Sequence, residues 1–341
     1  VEDMGRSACA SLGIYSRLWG PYPHRTLRIV ENAWRDIGAH SEPSLVDYGD
    51  GFALLDPARE PEGLDLVFAV TAHEVAHQWW GGGRLQPARV EGAGFLIESM
   101  ATYSATQVVE QTLGAGQLQA YLDMMRREYQ VPRSRAMPPL LRATEQFLNY
   151  RKGPLAMHAL GQYIGRDQVN LALRRLLDSH PPGSTPLATT LDLYRELQAV
   201  TPARYQPLLH DLFAANMYWE LSASQARAKK MAGGQWQVAI DVRARKLLVD
   251  DTGAEIERPL DEWVEIGVFP GPAKKQENGE VIPGKPMYLR KHHIDRATQT
   301  ITVTVPQEPG HVGVDPRALL VDVRPRDNFV DVAPDVEVAA R

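Results

Sequence analysis

A single cysteine, Cys9, is present in 341 residues. No internal disulfide can form and a cysteine-built zinc cluster is excluded, so any bound metal must be held by His, Asp or Glu. Basic charge is not in excess either: 37 Lys+Arg against 42 Asp+Glu give a net charge of −5. That balance offers nothing to neutralise a phosphate backbone, and no nucleic-acid partner is expected. No run approaches the roughly 18 apolar residues that span a bilayer. The first residues hold no basic-then-apolar leader, and no internal repeat is visible. The chain opens on Val1 with no Met before Met4, and it is expected to be a fragment of a longer protein.

What is present is ordinary for a globular protein: 44% apolar and 23% charged residues, enough for about two domains. Residues 1–19 read as a loosely amphipathic helix that Gly20-Pro21-Tyr22-Pro23 breaks. A short strand at 27–30 and a turn-rich stretch at 31–63 follow. Helical patterning then runs from 64 to 80, where Gly81-Gly82-Gly83 stops it, and from 95 to 113. Further helical patterns lie at 116–129, 153–164, 167–179, 187–199 and 203–219. After Met231 the period falls to 2: Trp236, Val238, Ile240 and Val242 alternate with polar residues, as do Val264, Ile266 and Val268, and Ile301, Val303 and Val305. The segment 271–286 reads as a polar hairpin loop or an insertion. The pattern predicts an α+β chain: a mostly helical domain at 1–225 with a short β-rich N-terminal part, then a small all-β sandwich at 226–341.

The chemistry is concentrated between residues 73 and 98. His73-Glu74-Val75-Ala76-His77 is an H-E-x-x-H motif. On a helix, positions i and i+4 share a face, so the two imidazoles can meet over one point. Neutral imidazole is a good zinc ligand. Glu74 can then reach a water at the metal without being a ligand. Apolar residues at 66–70 and the pair Trp79 and Trp80 predict burial, where an unpartnered charge is costly. A metzincin would need Gly at 80 and His at 83; Trp80 and Gly83 exclude that reading. No further His is well placed, which leaves a carboxylate as third ligand. Glu91, in the Gly-rich loop, and Glu98, inside an apolar helix, are the two nearby.

Three stretches carry a resemblance. His73 to Gly81 (HEVAHQWWG) resembles the H-E-x-x-H-x-W-[FW]-G of the aminopeptidase N-type zinc peptidases, a gluzincin family. Leu96 to Tyr103 (LIESMATY) resembles that family's L-N-E-G-F-A-S-Y, and Tyr150-Arg151-Lys152-Gly153 its Y-E-K-G. The likeness is strongest to the peptidase-like C-terminal domain of bacterial ABC-transporter permease fusions. The resemblance implies a thermolysin-like helical catalytic domain and one zinc ion held by His73, His77 and Glu98. It further implies Glu74 as general base, Tyr150 supporting the transition state, and a peptide as substrate. It also implies a permease domain in the same full-length polypeptide, which would tether this part to a bacterial membrane.

The chain departs from the family pattern in two ways. Twenty residues, 78–97, separate His77 from Glu98, slightly more than is usual, and the Gly-rich loop can absorb the difference. The family's G-x-M-E-N motif, which holds a substrate's free amine, has no counterpart string. Asp50 in Asp47-Tyr48-Gly49-Asp50-Gly51 is the candidate for that anion, ahead of Asp47. Three functions follow as expectations: a zinc peptidase of aminopeptidase type, a regulatory or structural zinc-binding module of a transport protein, or an interaction domain that has kept only the fold.

Overall fold

The computed structural model describes residues 2–33, 38–54, 63–130, 136–275 and 281–334. The chain is α+β and divides into two compact units, Val1–Asn216 and Met217–Arg341. The first unit begins with α1 (Glu2–Trp19) and a three-stranded sheet of β1 (Arg28–Asn32), β2 (Ala39–Glu42) and β3 (Leu45–Gly49). The order is β1-β3-β2, with β1 parallel and β2 antiparallel to β3. Val46 and Tyr48 of β3 point into a core cluster with Met4, Phe52 and Val67. A 3₁₀ turn at Asp50–Leu54 leads away from the sheet.

Seven more helices complete this unit among the described residues. They are α2 (Leu66–Ala76), α3 (Met100–Leu113), α4 (Ala115–Gln130), α5 (Gly153–Ile164), α6 (Arg166–Ser179), α7 (Thr190–Val200) and α8 (Gln206–Phe213). Asp65 caps α2 by accepting from the Phe68 N–H at 2.9 Å. The helix stops at Ala76, short of the expected Trp80. His77, Gln78 and Trp79 donate instead to the carbonyls three residues back, which tightens the last turn. Trp79 and Trp80 are fully buried, and their indole N–H groups donate to the Gly20 carbonyl and Ser104 Oγ, both at 3.0 Å. The end of α2 is thereby pinned between α1 and α3. Two π-helical turns, Phe95–Ser99 and Leu148–Lys152, lead directly into α3 and α5.

The second unit is all-β, as the alternation predicts. Its strands are β4 (Met217–Lys230), β5 (Trp236–Val249), β6 (Glu255–Arg258), β7 (Glu262–Phe269), β8 (Lys274–Lys275), β9 (Val281–Ile282), β10 (Tyr288–Ile294), β11 (Thr298–Val305), β12 (His311–Val314) and β13 (Phe329–Pro334). Along one mixed, curled sheet the order is β10-β7-β12-β13-β4-β5-β11, with β6 paired to β5 and β8 paired to β9 apart from it. The helix expected over 203–219 is corrected by the structure. α8 ends at Phe213 and Met217 opens β4, so a domain boundary drawn at 225–226 falls inside a strand. Ala223, Ala226 and Ala228 give β4 a helix-like composition, which pairing with β5 along the strand, broken only by a bulge between Ala223 and Gln225, overrides. None of the helices in the described residues is long and apolar enough to cross a membrane.

Candidate metal centre

α2 and the π-turn before α3 bring His73, His77 and Glu98 together. One ligand atom from each lies within 4.8 Å of the others. His73 Nε2 and His77 Nε2 are 3.1 Å apart, and Glu98 Oε2 is 3.3 Å from the first and 3.4 Å from the second. Zinc bonds of about 2.0–2.1 Å in tetrahedral geometry require ligand atoms about 3.3 Å apart. The three atoms are spaced as one face of such a tetrahedron.

An outer hydrogen bond selects the tautomer of His77. His77 Nδ1 lies 3.0 Å from the Trp80 carbonyl, an acceptor only, so Nδ1 carries the proton and Nε2 presents its lone pair to the centre. His73 Nδ1 meets Thr102 Oγ1 of α3 at 3.1 Å, and with its proton there the ring turns the Nε2 lone pair to the same centre. Glu98 Oε2 is buried with no aligned hydrogen bond. With both rings protonated on Nδ1, three electron-rich atoms converge, an arrangement that a divalent cation satisfies.

The electrostatics agree. Burial works to raise the Glu98 pKa, yet the two imidazoles hold the carboxyl well below the usual carboxylate range. Burial works to lower the His77 pKa, yet Glu98, Glu74 and the Trp80 carbonyl hold it above its ordinary value. Both shifts express a demand for positive charge at one point.

Tyr150 lies against this centre. Its ring is 5.8 Å from that of His73, at 28°. Burial first, then the charge of Glu98 and a hydrogen bond to it, push the phenol far above its usual range, so the hydroxyl stays protonated. Glu74 is buried on α2 outside the trio, and its charge is felt by His77 and Tyr150.

Glu98 and Tyr150 both stand on π-turns, where one extra residue per turn re-aims side chains. The two turns are clasped together. Ser99 Oγ donates to the Asn149 carbonyl at 2.5 Å. A Cβ on Gly153 would come within 2.0 Å of Ser99 Oγ, and one on Gly94 within 2.3 Å of Asn149 Nδ2. Glycine at these two positions lets the turns approach closely enough to place the carboxylate and the phenol over one centre.

Of the residues expected from the sequence, His73, His77, Glu98 and Tyr150 are brought together, with Glu74 beside them. Glu91 is exposed and bonds Arg142 at 2.6 Å, which removes it as a ligand. Asp50 opens the 3₁₀ turn after β3 and is not among the clustered ligands. Asp47 is engaged within its sheet, accepting from Asn32 Nδ2 at 3.4 Å, with His40 Nδ1 3.7 Å away. Sequence reasoning missed Thr102, Ser99 and Gln78. A polar residue inside a stretch of buried apolar ones was the available signal for each.

A family model described as the peptidase family M1 domain matches residues 14–211, more than half of the chain. A comparison with curated proteins finds no match. Among solved structures the chain is similar to an M1 zinc metallopeptidase from Deinococcus radiodurans, a mutant bound to a Tyr-Ser-Ala substrate. Identity is 21% and the TM-score 0.46, over 61% of this chain and 43% of that one. The chain thus spans less than half the length of that protein.

Proposed function

This chain belongs to peptidase family M1, and from that premise we propose that it hydrolyses peptide bonds with one zinc ion held by His73, His77 and Glu98, acting as an aminopeptidase. The observation that carries the proposal is the spacing of three ligand atoms at 3.1, 3.3 and 3.4 Å. Zinc, when bound, would supply Lewis acidity towards the scissile carbonyl and lower the pKa of a water. Every other task falls to side chains. Glu74 takes the proton of the attacking water and returns it to the leaving amine. Tyr150, held in its protonated form, turns its hydroxyl from Glu98 to the carbonyl oxygen as negative charge develops there. Thr102 and the Trp80 carbonyl keep the imidazoles oriented. For the free amine of the substrate, Asp50 is the proposed partner.

The test is metal analysis followed by hydrolysis of amino-acid amides and N-blocked peptides. The reading expects one zinc per chain and cleavage of the free-amine substrates. It also expects a fall in kcat of about 10²–10⁴-fold in Glu74→Gln with zinc retained. Cleavage of blocked peptides alone would remove the aminopeptidase assignment. Zinc without any turnover would favour a regulatory zinc-binding module instead.

A further inference from the structure

Gln78 follows His77 directly, and its side chain is 1% exposed. A buried amide needs partners for its donors and its acceptor inside the protein. Gln78 directs all of them to one hairpin. Its Nε2 donates to Ser41 Oγ at 2.8 Å and to the Glu42 carbonyl at 2.9 Å, and its Oε1 accepts from the Ser44 N–H at 2.9 Å. The hairpin joins β2 to β3 through Pro43 and Ser44. Ser44 has φ of 63°, a left-handed conformation that persists in a non-glycine residue only where the surroundings hold it.

The same hairpin carries the open edge of the sheet. In the order β1-β3-β2, β2 has a partner on one side only among the described residues. The Gly49 N–H donates to the Gly38 carbonyl at 2.9 Å, and this pair is next in register to Ala39 and Tyr48. Bonded and non-bonded pairs alternate along an antiparallel ladder. His40 and Glu42 therefore turn their backbone groups towards β3, and Ala39 and Ser41 turn theirs outward. An extended peptide can add to such an edge as a further strand.

We propose that Gln78 is a positioning residue for peptide substrates: it ties the open edge of β2 to the helix end that bears His77, so that a peptide bonded to the Ala39 and Ser41 backbone arrives in one register. This rests on the peptidase reading above. Register matters because a slip of one residue moves the scissile bond by about 3.3 Å.

The test uses Gln78→Met in the full zinc-loaded chain, which keeps the side-chain volume and removes all three hydrogen bonds. Ser41→Ala, which removes one, is the milder second variant. Kinetics are measured on trialanine and on alanine amide, which is too short to span the edge. For Gln78→Met, the KM for trialanine should rise by roughly ten-fold or more, while its kcat and the hydrolysis of the amide change far less. Ser41→Ala should raise the same KM by a smaller factor. An unchanged KM for trialanine, or an equal loss on both substrates, overturns the proposal. Amide hydrogen exchange provides a readout without turnover. Saturating trialanine should protect the Ala39 and Ser41 N–H groups in the unaltered chain and much less so in Gln78→Met. If the unaltered chain cleaves nothing, the peptidase reading fails, and this exchange pattern still decides the role of Gln78. Protection that is absent, or equal in both proteins, sinks it.

Discussion

One cluster of charged side chains in each unit is withdrawn from water, and the two clusters are treated in opposite ways. In the β-unit Lys246 Nζ lies 2.6 Å from Glu262, and Glu265 is flanked by Arg317 and, at 3.7 Å, by Lys291. These buried acids meet bases supplied by the chain itself. In the helical unit His73, His77 and Glu98 turn lone pairs towards one point, and no Lys or Arg is bonded to the trio among the described residues. Buried charge neutralised in place serves structure, at a desolvation cost that its pairing offsets. A part-buried cluster of ligand atoms with no base of its own is a candidate binding place. The contrast separates Glu98, the acid proposed to hold metal, from acids such as Glu262 that are more deeply buried and paired with a base.

Breaking the compensated side should have the largest effect on stability and none on metal. Glu262→Ala leaves Lys246 buried without this acid. It is expected to cost about 3–5 kcal/mol in urea unfolding, with zinc content unchanged. Lys246→Met combined with Glu262→Leu should recover most of that loss. A drop in zinc content in the single variant would dissolve the contrast between the units.

On the functional side, Tyr150→Phe removes a hydroxyl and no ligand. kcat should fall by about 10²-fold with zinc content and unfolding midpoint little altered. A variant with full activity would return Tyr150 to a packing role beside His73.

The smallest effect is one of pH. Burial pushes the Asp322 carboxyl up to about 7, against the N–H groups of Leu221 and Arg324 that favour its charged form. The folded chain then keeps a proton that the unfolded chain releases near 4. The stability this group contributes is present below that pH and is lost as the pH climbs towards about 7. Asp322→Asn should flatten the decline in unfolding midpoint over this window. An unchanged slope would show that another group is responsible.

How much of this was legible in the sequence follows from what each feature depends on. The trio was legible because its residue types and i, i+4 spacing are local, and because Glu98 is a carboxylate among apolar neighbours. Tyr150 was visible only through resemblance, since nothing local separates it from the other tyrosines. The π-turns under Glu98 and Tyr150 were not legible. They arise from the Ser99–Asn149 clasp and the glycines that permit it, contacts that span about fifty residues. β4 was misread because its alanines suit a helix and only pairing with β5 makes it a strand. β2 is four residues long, too short for alternation to register, and Gln78 has no meaning until that strand lies beside it.

The central claim is that Glu98 completes a zinc site. The direct test is the zinc content of the purified chain after reconstitution and dialysis, measured beside Glu98→Ala prepared identically. The account predicts one tightly held zinc per unaltered chain and almost none in the variant, with the variant still folded by circular dichroism. Equal zinc in both proteins, or none in either, would contradict it.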